Sequence, residues 1–170
     1  MTANSRAPLI SAGLLLGTGL GGFVDGIVLH QILQWHNMLS SVRPPDDLVS
    51  MKYNMIWDGL FHAFTWLVTA AGVWRLFRAG ARPDVVWSGK TLTGAMALGW
   101  GLFNFSEGLI DHQIAGLHHV HPGQGQLAWD LGFLAFGVAL MIAGWGAIRA
   151  GRSDASPRGG HSRASRASYA

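Results

Sequence analysis

Asp25-Gly26-Ile27-Val28-Leu29-His30-Gln31-Ile32 and Glu107-Gly108-Leu109-Ile110-Asp111-His112-Gln113-Ile114 are two versions of one string, with acid, Gly, His, Gln and Ile on the same positions. The register continues from His36 to His118, an offset of 82 residues. Each string is followed by a second match, Trp57-Asp58 with Ala63-Phe64 and then Trp129-Asp130 with Ala135-Phe136, now at an offset of 72. Two matches in the same order, with the first intervening loop ten residues longer, predict a duplicated helical hairpin. The copies run parallel, related by an axis along the membrane normal.

Each string lies in an apolar run. A hydrocarbon core ~30 Å thick is crossed by about 20 mainly apolar helical residues, and residues 9–35, 53–74, 92–117 and 127–148 qualify, none with an internal Lys or Arg. Composition agrees: 12% of the 170 residues are charged and 49% are hydrophobic, against about 25% charged in a soluble domain. The expected fold is an all-α four-helix transmembrane bundle. Arg6, Arg75, Arg78, Arg82, Lys90, Arg149, Arg152, Arg158, Arg163 and Arg166 flank one side, and only Arg43 and Lys52 the other. Short loops retain Lys and Arg in the cytoplasm, so both termini are expected there. The same topology accounts for the net charge of +3, and no nucleic-acid partner is expected.

The organisation that follows is a cytoplasmic N-terminus at 1–8, a membrane domain at 9–148 containing the repeat 9–74 and 92–148, and a basic tail at 149–170. Ser, Arg, Gly and Ala dominate that tail, which has little to bury and is expected to be disordered. Arg6 ahead of an apolar run mimics a signal peptide. No convincing small-residue cleavage site follows, and Asp25 and His30 share the segment, so it is taken as a retained span.

Polar residues then crowd one half of the membrane. Counting inward at ~1.5 Å per residue places Asp58, Asp130, His30, Asp111, His112, His62, Asp25 and Glu107 in a single outer slab about 6–16 Å deep. His36, His118, His119 and His121 form a layer at its mouth. At 100° per residue Glu107 and Asp111, and Asp58 and His62, are about 40° apart, whereas His30 and His112 lie about 140° from Asp25 and Glu107. An acid within a span costs about 3 kcal/mol, so five unpaired acids would cost on the order of 15 kcal/mol, as much as a whole domain's stability. No Lys or Arg is there to balance them. Protonated His, carboxylate protons or a metal ion must do so. Imidazole and carboxylate suit iron, zinc, manganese or copper, and the absence of cysteine excludes disulfides, thiolate sites and iron–sulfur clusters.

Blander roles stand beside these. His62 alone reads as a packed histidine, Asp58 and Asp130 as caps of their helices' outer ends, and His118, His119 and His121 as solvated loop residues before a Pro122-Gly123 turn. Gly13, Gly17 and Gly21 form a small-residue stripe that permits close helix packing. Trp35, Trp57, Trp74, Trp87 and Trp129 read as interfacial anchors.

The strings GFVDGIVLHQILQWH, WDGLFHAF and FNFSEGLIDHQIAGLHHVHPG resemble a family of short bacterial membrane proteins known as domain of unknown function 2243. The resemblance covers about residues 10–148 and implies a four-span, multi-pass protein of the bacterial inner membrane with no established reaction. It carries over to Asp25, His30, His36, Asp58, His62, Glu107, Asp111, His112, His118 and His119.

The leading expectation is a His/carboxylate metal site, dinuclear if each half supplies a ligand set, with Asp25, His30, His36, Asp58, His62, Glu107, Asp111, His112, His118 and Asp130 as candidate ligands. An enzyme built on it would be a metal-dependent oxidase or hydrolase, activating water or dioxygen with a carboxylate as base. Copper delivery or terminal-oxidase assembly is the alternative if Met38, Met51 and Met55 capture copper(I). A b-type haem on His30, His62 or His112 is another, and a proton or ion pathway along Asp25 and Glu107 a fourth. Expected partners are the lipid bilayer and the metal ion, with a homo-oligomer or an oxidase complex as protein partners.

Overall fold

The computed structural model describes residues 5–154 and 156–157. Helix α1 (Ala7–Val24) continues without a break into a π-helical segment, Asp25–Ile32. Helix α2 is Leu48–Gly80, and α3 (Gly89–Glu107) runs into a second π-helical segment, Gly108–Ile114. Helix α4 is Gln126–Ala150. Each helix starts where the chemistry of its first turn allows. Pro8 suits the first turn of α1, where its missing N–H has no helical partner. The Asp47 carboxylate accepts from Val49 and Ser50 N–H at the head of α2, and the Ser88 hydroxyl accepts from Thr91 N–H at α3.

Three of the four helices, Ala7–Ile32, Leu48–Gly80 and Gln126–Ala150, are long and apolar enough to cross a membrane. α3 meets the length but carries Lys90, Thr91, Thr93, Asn104, Ser106 and Glu107. It is also sheltered: α3 packs on both α1 and α4, and α1 on both α2 and α3. α1 and α3 are therefore the central pair and α2 and α4 the flanks. Half of the apolar window of α1 is buried, against 11% for α2 and 17% for α4.

Glycine sets how close the central pair comes. A Cβ at Gly17 would run into the Met96 carbonyl, and one at Gly99 into the Leu14 carbonyl, so the two backbones touch directly at this crossing. Thr18 Oγ1 donates to the Gly99 carbonyl oxygen beside it at 3.1 Å. The stripe read from the sequence is thus a packing surface.

The molecule is apolar outside and polar within. Leu60, Phe64, Trp66, Leu67, Ile142 and Trp145 are exposed, while Asp25, His30, His36, Asp58, Glu107, His112, His118 and Asp130 are buried. A water-soluble domain has the opposite arrangement. The chain ends of the bundle meet at one end. Arg6 donates to the Ile148 carbonyl at 3.1 Å, Ser5 N to Asp84 O at 2.9 Å, and residues Val86–Trp87 pair with Ser156–Pro157. The tail expected from residue 149 begins as the last turn of α4 and a turn reaching Asp154, which pairs with Lys90 at 3.0 Å. Its remainder, 155 and 158–170, lies outside the described residues, as do residues 1–4.

Candidate metal centre

The first repeated string is the first π-helical segment, and the second string is the other π-helical segment together with Glu107, the last residue of α3. An i→i+5 hydrogen-bond pattern stacks residues five apart on one face, and the acid and histidine of each string are five apart. His30 Nε2 consequently lies 3.2 Å from Asp25 Oδ2, and His112 Nε2 lies 3.0 Å from Glu107 Oε1. The α-helical spacing used on the sequence set these pairs about 140° apart. That expectation is corrected by the change of helix type.

Beyond each π segment one residue takes a positive φ, Gln34 at 51° and Gly116 at 58°. The chain turns back there and delivers His36 and His118 into the interior. His36 is 3% exposed and His118 0%. They were expected at the mouth of the slab. His36 Nδ1 donates to the Val120 carbonyl at 2.8 Å, and His118 Nδ1 faces the Met38 carbonyl at 3.2 Å. Each histidine is therefore held by the loop of the opposite half. The His36 and His118 rings stack at 4.7 Å between centroids, with His30 4.5 Å from His36 and His112 4.8 Å from His118.

Asp58 and Asp130 stand behind this cluster. Asp58 lies ten residues beyond the start of α2 at Leu48, and Asp47 and Gly125 hold the N-cap positions of α2 and α4, so neither acid caps its helix as the sequence allowed. Asp58 Oδ1 accepts from His30 Nδ1 at 3.0 Å and from Met38 N–H at 2.9 Å, and its Oδ2 from Asn37 Nδ2 at 2.7 Å. Asp130 Oδ1 accepts from Val120 N–H at 3.0 Å and lies 3.5 Å from His112 Nδ1, while Oδ2 accepts from His119 Nδ1 at 2.7 Å. Gln31 and Gln113 reach the same two carboxylates at 3.5 and 3.4 Å.

Three of the four central histidines bond outward through Nδ1, His36 and His118 to carbonyl oxygens and His30 to a carboxylate, while His112 Nδ1 faces Asp130 at 3.5 Å without a hydrogen bond. The Nε2 atoms of His30, His112 and His118 face Asp25 or Glu107. Two groups have ligand atoms that all lie within 4.8 Å of one another: His30, His36 and His118, and Glu107, His112 and His118. His118 Nε2 is 2.9 Å from Glu107 Oε1. The Nε2 atoms of His30, His36 and His112 and Glu107 Oε2 are buried without a hydrogen-bond partner among the described residues. Buried polar atoms left so are costly; a metal ion among His30, His36 and His118 would satisfy the first two, and one among Glu107, His112 and His118 the others. His36 lies in the connection after the first span. Burial first, and the neighbouring His118 and His30 rings next, push its imidazole down to about 3, which keeps it neutral.

Other candidates fall elsewhere. His62 Nδ1 donates to the Asp58 carbonyl at 2.8 Å, a bond to its own helix, and its ring packs beside Phe61 and Phe23. Asp111 is half-buried and belongs to neither group. His121 packs against Trp35 and Trp129. Met51 and Met55 are exposed, and Met38 serves the site through its backbone. The sequence did not single out Asn54, which is buried and holds the first loop through Leu39 N–H and the Arg43 carbonyl at 3.0 and 2.8 Å. Nor did it offer a signal for the Met38 and Val120 carbonyls, because backbone atoms leave none. A cavity of about 760 Å³ lies at the other end of the bundle, between the start of α1 and Arg75, Arg78 and Arg82.

No curated protein and no solved structure matches the chain. A family model described as predicted membrane protein (DUF2243) matches residues 12–151, from the second turn of α1 to the end of α4, and the chain accordingly belongs to that family of membrane proteins.

Proposed function

We propose that this protein is a multi-pass bacterial inner-membrane protein that holds a transition-metal ion at the junction of two duplicated hairpins, with both termini in the cytoplasm and the metal in the outer half. The observation that carries the proposal is the common orientation of four buried histidines. A carbonyl oxygen can only accept, so the bonds to Val120 and Met38 put the proton of His36 and His118 on Nδ1 and leave Nε2 unprotonated, without a partner in His36 and 2.9 Å from Glu107 Oε1 in His118. At His30 and His112 a carboxylate faces each ring nitrogen, Asp58 and Asp130 at Nδ1 and Asp25 and Glu107 at Nε2, so Asp58 and Asp130 would accept from Nδ1–H once Nε2 binds a metal. Metal-ligating histidines are ordinarily supported in this way.

The duplication is supported by contacts that recur at the offset of 82: His36 to Val120 and His118 to Met38, and the positive φ at 34 and 116. Two halves suggest two ions. The shared His118 argues for one, because its Nε2 has a single lone pair and its Nδ1 is already engaged. Asp58 and Asp130 then act as orienting groups, and His62 and Asp111 are not ligands. Imidazole with carboxylate suits iron, manganese, copper(II) or zinc.

Metal content of the protein purified in mild detergent, beside His30→Ala, His112→Ala and His118→Ala, tests this. Wild type retains a stoichiometric transition metal and each variant loses it. Equal occupancy in all four proteins would remove the centre.

A further inference from the structure

We infer that a crevice opening sideways from the bundle beside Asp25 binds a small lipid-soluble molecule with a hydrogen-bond donor at its head, such as a hydroxylated aromatic ring. The crevice has a volume of about 170 Å³, close to the ~150 Å³ of a cavity that takes up benzene. One ring fits. Val24, Val28 and Phe136 line it and are 44%, 36% and 48% exposed on the apolar exterior. Its mouth therefore meets lipid, and its occupant must dissolve there. Trp100 forms a wall, lying edge-on to Phe136 at 6.0 Å and against Gly21, where a side chain would collide with the indole.

The floor supplies the specificity. Asn104 is 3% exposed, lines the crevice, and its Oδ1 is buried with no donor among the described residues. Such an acceptor is costly until something donates to it. The positions 82 residues earlier are Gly22 for Asn104 and Thr18 for Trp100. Amide and indole therefore belong to this side of the molecule alone. Packing of the repeat does not call for them. Asp25 is the second polar group of the lining, and the same carboxylate sits 3.2 Å from His30 Nε2. A head group bound at Asn104 is thus one carboxylate away from the histidine cluster. Its assignment as the substrate of that centre rests on the metal proposal; its binding does not.

The test uses the full chain in detergent, stripped of metal with a chelator, and 4-bromophenol as probe, with 4-bromotoluene as the ring lacking a donor. Quenching of Trp100 fluorescence, isolated by difference from Trp100→Phe, reports occupancy. Bromophenol is expected to quench saturably and about tenfold more tightly than bromotoluene, a preference that Asn104→Leu removes. Val24→Trp, a change on the lipid-exposed rim, blocks both probes while leaving the amide in place. Absence of saturable Trp100 quenching, or equal affinity for the two rings in wild type, overturns the pocket. That failure would leave metal retention untouched, whereas loss of metal binding alone would leave the quenching as described.

Discussion

His36 donates its Nδ1 proton to the carbonyl oxygen of Val120 at 2.8 Å, a bond that joins the loop of one half to the loop of the other. With the His118 contact to Met38 at 3.2 Å it cross-links the two loops. It also fixes which ring nitrogens face the centre.

Asp58 and Asp130 should matter to metal affinity without touching metal. Replacing either by Asn removes the charge behind His30 or His112 and is expected to weaken binding about 10- to 100-fold. Competition against a chromophoric chelator measures it, and an unchanged affinity in both variants would leave these acids with a purely structural role.

One ion per chain is the expected stoichiometry. Titrating the apoprotein with cobalt(II) and following its visible absorption should give a break at one equivalent. A break at two equivalents would mean that His118 is not shared.

Acid should destabilise the metal-free protein through His36. Its folded-state value of about 3 lies below the ordinary 6.5, so the folded state binds fewer protons than the unfolded state in between. The stability this neutral ring contributes is complete above about pH 6.5 and is lost as pH falls toward 3. His36→Gln should flatten thermal stability across that window, and a variant with the wild-type slope would assign the acid sensitivity elsewhere.

The α1–α3 crossing should not tolerate side chains. Gly17→Leu and Gly99→Leu each place atoms where a carbonyl already sits and are expected to cost about 1–3 kcal/mol. Thermal unfolding in detergent would register the loss, with Gly59→Leu as control because nothing lies within 4 Å of that glycine. Equal stability of all three variants would contradict the close approach.

Gly116→Val should cost about 1–2 kcal/mol, since φ there is 58° and a β-branched residue resists that region. His118 follows two residues later, so metal affinity should fall with stability. If affinity held while stability fell, the turn would not be what positions the histidine.

Length, apolarity and charge asymmetry made the helical, membrane-spanning character legible in the sequence, because a helix must satisfy its own backbone in lipid whatever its neighbours do. The identity of the buried polar residues was legible too, through the repeat of Asp25 and His30 in Glu107 and His112. Their geometry was not. A wheel assumes α-helix, and only the π-helical hydrogen bonding of Asp25–Ile32 and Gly108–Ile114 stacks each acid on its histidine. The turns at Gln34 and Gly116 then carry His36 and His118 inward to carbonyl groups of the opposite half. Local composition fixes which side chains avoid lipid, but which nitrogen faces which oxygen depends on contacts between residues some 80 positions apart, and only the folded chain brings those together.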